Sequence, residues 1–127
     1  MVHKKINFYF IVLLIIIIDQ ITKAFLTKTT NTGAAFGLFK DNTLFIIIVS
    51  LLMIGLIIHY LIKSNVFILS LGLSFFLGGA VSNLLDRIVF GYVRDFIQVF
   101  MITTFNIADM FTVIGAMLII VYLIKKK

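Results

Sequence analysis

Five aspartates are the only acidic residues of this 127-residue chain, and three of them, Asp86, Asp95 and Asp109, stand at or between the ends of long apolar runs, near Asn83, Arg87 and Asn106. An ionisable group beside a membrane-length apolar run is costly and usually functional. Asp109 lies sixteen residues before Lys125, about 24 Å along a helix, which places it slightly inside one boundary of a ~30 Å hydrocarbon core. Asn106 precedes it by one turn on the same face. Gly79, Asn83 and Arg87 share a face at four-residue steps, with Asp86 three residues after Asn83. Two neighbouring carboxylates in a medium of low dielectric do not both ionise, so one keeps its proton. Such a pair suits hydrolysis: the ionised member takes a proton from water and the protonated one donates to a carbonyl. Spacing leaves open whether Asp86 or Asp95 partners Asp109. It also leaves open plainer roles, with Asp109 as a helix cap and Asp86 in a surface ion pair with Arg87.

Other chemistries find less support. The two histidines, His3 and His59, fall far apart towards the opposite boundary, so no metal centre is expected. With no cysteine there is no thiolate or disulfide. No G-x-S-x-G motif is present. Ser82 with Lys23 remains as an alternative Ser–Lys pair.

The elements that must position these residues are membrane helices. Hydrophobic residues make up 62% of the chain and charged ones 13%, with no Pro, Cys or Trp. Four runs, about 6–25, 44–62, 66–85 and 108–124, reach spanning length. "FIVLLIIIID" and "LFIIIVSLLMIGLII" lack the polar stripe of a soluble bundle helix. "DQITKAF" follows the first run where a cleaved signal peptide would carry small residues, so that run is read as a retained helix. The expected fold is an all-α membrane protein of one domain, residues 1–127, with four transmembrane helices and a short extracytoplasmic loop and β-hairpin region. The segment "DRIVFGYVRDFIQVFMITTFN" is the expected hairpin or re-entrant stretch. Small residues at Gly72, Ser74, Gly78, Gly79 and Ser82 suit close helix packing.

Lys4, Lys5, Lys63 and Lys125–Lys127 fall on one side, and all five acids on the other. The positive-inside rule then puts both termini in the cytoplasm. Basic flanks facing anionic lipid account for the net charge of +6, and no nucleic acid is implied. A small four-helix channel or exporter is the rival from another class, although channels place ionisable residues along a pore rather than at one boundary.

Taken in order, "DQITK", "NTGAAFG", "GGAVSNLLDRI", "VRDF" and "FNIAD" resemble the motif set of lipoprotein signal peptidase (signal peptidase II) from about Asp19 to Gly115. The resemblance implies four membrane helices in a prokaryotic cytoplasmic membrane and an aspartic pair near the outer face. It implies removal of the signal peptide from prolipoproteins just before a diacylglyceryl-modified cysteine. By motif position Asp95 and Asp109 are the catalytic pair, which favours Asp95 over Asp86. Asn83 and Arg87 match residues that organise the site and contact substrate, and Asn106 the residue flanking the second aspartate. Asp19, Lys23 and Asn31 match polar residues around the pocket, and Gly79 a point of close approach. Asp86 stands with the supporting residues. No cofactor or metal is implied, partners are prolipoprotein and membrane lipid, and a monomer suffices. Asp19 and Asn31 are only twelve residues apart, short for the family, so the substrate platform is expected to be trimmed. A non-catalytic lipopeptide-binding relative is the second alternative.

Overall fold

The computed structural model of the chain describes residues 2–34 and 37–127, with side chains for all of these except residues 2–4 and 6. Helix α1 spans Val2–Leu26, α2 Thr43–Lys63, α3 Phe67–Phe90 and α4 Ile107–Lys125. All four are long and apolar enough to cross a membrane. Three-residue strands fill the connections: β1 (Thr29–Asn31) follows α1, while β2 (Val93–Asp95), β3 (Ile97–Val99) and β4 (Thr103–Phe105) lie between α3 and α4.

Helix α3 is the axis of the bundle. In its most apolar stretch 56% of residues are buried, against 11–17% in the other three helices, whose large aliphatic side chains face outward as lipid requires. Leu73 and Leu77 of α3 meet Val12 of α1 and Ile57 and Leu61 of α2 in the core. Between α3 and α4 the contact is backbone on backbone. A Cβ at Gly115 would lie 2.6 Å from the carbonyl oxygen of Gly72, and one at Gly79 would overlap the Ala108 carbonyl and the Thr112 hydroxyl. Small residues permit this approach. Gly79→Ala is therefore expected to push the start of α4 away and to destabilise by ~1–3 kcal/mol, the range for overpacking. Thermal unfolding in detergent, with activity measured alongside, checks this.

The third run was expected to end near residue 85, where Asp86 and Arg87 interrupt the apolar pattern. The helix instead continues to Phe90 and is closed by Gly91 in the left-handed region (φ 80°), whose N–H bonds the Arg87 carbonyl at 3.0 Å. Asp86 is buried among protein partners, so its charge does not need water and the helix does not need to stop.

The expected hairpin is present as β3–β4, with Ile97 opposite Phe105 and Val99 opposite Thr103. β1 pairs antiparallel with β2, placing Thr29 opposite Asp95. The Lys28 N–H bonds the Asp95 carbonyl at 2.9 Å, and the Phe96 N–H bonds that of Phe105 at 3.2 Å. The strand carrying Asp95 is thus held on both sides at one end of the bundle.

Candidate active site

Asp109 sits in the first turn of α4, in a reciprocal capping box with Asn106. Its N–H bonds Asn106 Oδ1 at 2.9 Å, and its Oδ2 accepts the Asn106 N–H at 3.1 Å. The capping role raised from sequence is therefore real, yet it occupies only one carboxylate oxygen. Asp109 Oδ1 accepts from Asn83 Nδ2 at 2.8 Å and faces a cavity of about 500 Å³. Asp95 lines the same cavity from β2. Its Oδ1 accepts from Asn106 Nδ2 at 2.9 Å and its Oδ2 from the Thr104 hydroxyl at 3.4 Å. Asn106 thus touches both carboxylates, and the Asn106 amide also reaches Asn83 Oδ1 at 3.1 Å.

Beneath this layer lies a cation. Lys23 is 1% exposed and donates to Asn83 Oδ1 at 2.9 Å. Its ammonium lies 2.6 Å from Asp19 and 3.3 Å from Asp86. A buried charge is tolerated only when paired and hydrogen-bonded, and both conditions are met. Asp19 accepts further from Ser82 Oγ (2.6 Å) and from the Ala108 N–H (2.8 Å), tying α1 to α3 and to the start of α4. Because Ser82 donates to one carboxylate and Lys23 is held by two, the Ser–Lys alternative is not assembled: neither residue lines the cavity.

Asp86 proves to be a clamp rather than the surface partner of Arg87. It accepts from the Arg94 N–H (3.0 Å), Arg94 Nε (3.2 Å), Arg94 Nη2 (2.9 Å) and Gln20 Nε2 (3.0 Å). Gln20 Oε1 closes the circuit by accepting from Arg94 Nη2 at 2.7 Å. This network fixes the residue next to Asp95. Gln20 and Arg94 were not among the residues expected from sequence. The signal for Gln20 was its place beside Asp19 within an apolar run, where every polar group needs a partner.

Arg87 reaches the cavity from α3. Its Nη2 donates to the Gly33 carbonyl at 3.1 Å, and its Nε is buried with no hydrogen-bond partner among the described residues. Asn31 shapes the loop that presents Gly33, accepting the Gly33 N–H at 2.8 Å and donating to the Ala34 carbonyl at 3.2 Å. The remaining cavity wall includes Val93, Phe105, Met110, Val113 and Ile114. All the expected site residues therefore converge on one end of the bundle. Asp95, Asp109, Arg87 and Asn31 line the cavity, while Asp19, Lys23, Gly79, Asn83, Asp86 and Asn106 lie in the supporting network and helix contacts. His59 is exposed, edge-on to Tyr60. Among the described residues no three His, Cys, Asp or Glu side chains gather as metal ligands do.

Burial and the neighbouring charge of Asp109 push the Asp95 carboxyl up to about 6, against hydrogen bonds from Asn106 and Thr104 and the charge of Lys23. Asp95 thus holds its proton into the weakly acidic range, as one member of a close carboxylate pair must.

Comparison with known proteins covers nearly the whole chain. The family model described as signal peptidase (SPase) II matches residues 11–125. The lipoprotein signal peptidase of Clostridium tetani is 37% identical over 142 aligned positions, spanning 91% of each protein. That of Caldicellulosiruptor bescii is 34% identical over 138 positions, spanning 94% of this chain and 91% of the relative. Both alignments are longer than the 127 residues of this chain, so each relative carries segments that it lacks. A solved structure described as a bacterial membrane enzyme superposes with a TM-score of 0.87 at 27% identity, covering 94% of this chain and 88% of that one. The family match runs through all four helices and every strand that holds the carboxylates, and the chain belongs to the signal peptidase II family.

Proposed function

We propose that this chain, a multi-pass bacterial membrane protein and peptidase of prolipoproteins, is an aspartic endopeptidase that cuts just before a diacylglyceryl-modified cysteine. The observation that carries this reading is the pair Asp95 and Asp109, joined through Asn106 and facing one cavity whose far wall is apolar. An apolar wall suits the signal peptide and the acyl chains, which arrive laterally from the bilayer. Both termini lie in the cytoplasm and the strand end faces outward, as the lysines of the opposite end favour. Membrane lipid is the surrounding solvent, and one chain holds a whole site, so a monomer suffices.

In the proposed reaction Asp109 is the ionised member, since its two oxygens accept at 2.8 and 3.1 Å whereas Thr104 reaches the second oxygen of Asp95 only at 3.4 Å, and Asp95 carries the proton. Asp109 takes a proton from water as the oxygen attacks the carbonyl carbon before the cysteine. Asp95 gives its proton to the carbonyl oxygen. Collapse of the tetrahedral intermediate breaks the C–N bond, the proton on Asp109 passes to the departing amine, and the hydroxyl proton returns to Asp95. Arg87 lines the cavity and its Nε has no hydrogen-bond partner among the described residues; with substrate bound the guanidinium turns to donate to a substrate carbonyl and fixes the backbone across the pair.

Purified enzyme in detergent should convert a diacylglyceryl-modified prolipoprotein into two fragments, with mass spectrometry placing the cut before the modified cysteine. A fully intact substrate after prolonged incubation would sink the peptidase reading. The pH dependence follows from Asp95. As the acid it must be protonated, and its carboxyl titrates at about 6, so kcat/KM should fall as pH rises through that value, by up to tenfold per unit well above it. A profile flat from pH 5 to 8 would contradict this assignment.

A further inference from the structure

A second cleft, of about 720 Å³, lies beside the cavity that holds the carboxylates. The two share Asn31, Thr103 and Thr104. Their linings differ in kind. Where the first runs on into Phe105, Met110 and Ile114, the second runs into Thr32, Lys40 and Asp41. Strands β1 and β4 border the second cleft, and among the described residues each pairs along one edge only. Each therefore keeps unpaired backbone donors and acceptors of the kind that an extended peptide can use.

A polypeptide cut at the aspartate pair has two chemically unlike halves. The signal peptide and acyl chains are apolar. The chain beyond the cysteine is hydrophilic, and burying its backbone against an apolar wall without hydrogen bonds would cost several kcal/mol. It needs a polar path from the cut bond, and the second cleft begins at residues that already wall the first. We propose that this cleft receives the first few residues of the mature chain beyond the lipidated cysteine, as an extended hydrophilic peptide, and that Lys40 favours acidic side chains there. This deepens the proposed function and rests on it.

The charge preference comes from the different states of the two ionisable residues. Asp41 adopts a left-handed backbone (φ 64°) and accepts the Thr32 hydroxyl at 3.0 Å, so its carboxylate is engaged in holding the loop. Lys40 is exposed and has no ion pair among the described residues. The hydroxyl bond leaves the Asp41 charge in place but turns its Oδ1 to Thr32, so the ammonium of Lys40, unpaired among the described residues, is the group left to pair with an acidic side chain of an entering peptide.

Three diacylglyceryl-modified prolipopeptides, differing only in whether residues two to four after the cysteine are acidic, serine or lysine, test this. Wild type should cleave the acidic peptide with a KM about 2–5-fold below that of the basic one, as an exposed ion pair allows, at equal kcat. Lys40→Gln should level the series and Lys40→Glu should reverse it. Lys28→Glu, an equal charge change at an exposed side chain outside the cleft lining, should leave the order intact. Equal KM values in wild type, or an order that Lys28→Glu moves as much as Lys40→Glu, would overturn the subsite while leaving the peptidase standing. If wild type cuts none of the three, the peptidase reading itself fails and the subsite falls with it.

Discussion

Replacing either Asp95 or Asp109 by asparagine should lower kcat about 10³–10⁴-fold while KM stays within a few-fold, measured as initial rates at saturating lipidated substrate. The magnitude follows from removing a positioned acid or base. In the proposed reaction the two groups act on the same water and carbonyl, so the double variant should lose little more than either single one. Folding should survive. Asn is nearly isosteric with Asp, and Asp95 is a buried carboxyl whose proton affinity is raised in the folded protein. The folded state then holds that proton more tightly than the unfolded chain between the ordinary carboxylate range and about 6. Ionised Asp95 therefore weakens stability as pH rises through that window, and Asp95→Asn removes the liability at neutral pH. Loss of activity in a well-folded Asp95→Asn protein thus reports on chemistry.

Lys23→Met should be the most destabilising single substitution in the polar layer. It keeps the approximate volume but leaves Asp19 and Asp86 facing each other in a buried site without the ammonium that lies 2.6 and 3.3 Å from them. Removing one partner of a buried ion pair costs ~3–5 kcal/mol. Asn83 also loses the donor that orients its amide towards Asp109, so activity should fall together with stability. Thermal unfolding in detergent checks the first effect. Adding Asp19→Asn should recover part of the loss, since the remaining carboxylate then has Arg94 to itself. An unchanged midpoint for Lys23→Met would show that water or lipid headgroups, rather than this lysine, balance the acids.

Much of the scaffold was legible because membrane solvation leaves few choices. Runs of Ile, Leu and Phe at spanning length can only be helices, and α1, α2 and α4 lie where their apolar runs lie. The end of α3 was not legible, because a charged pair reads as an exit to water unless its partners are known. Those partners, Gln20 and Arg94, come from distant segments. Strand β1 escaped notice since "TTN" has no apolar alternation, and only its pairing with β2 gives it form. The hairpin turn carries no Asn-Gly signature; Phe100 and Met101 occupy left-handed conformations there (φ 51° and 56°). At the site, spacing brought Asp109, Asn106, Asn83 and Arg87 to one level, but it could not choose between Asp86 and Asp95. The structure separates them by environment. Asp86 is filled with donors from Arg94 and Gln20, whereas Asp95 opens onto the cavity.

The most direct test of the aspartate pair separates binding from cutting. Intact lipidated prolipoprotein is bound to wild type, Asp95→Asn, Asp109→Asn and Asp86→Asn in detergent, and each complex is followed by gel shift through a single turnover. Wild type should release the signal peptide, and Asp86→Asn should do so with a weakened scaffold. Asp95→Asn and Asp109→Asn should hold the substrate uncut. Near-normal turnover by either of these last two would show that the pair is wrongly assigned and that the peptide bond is cut elsewhere in the polar layer.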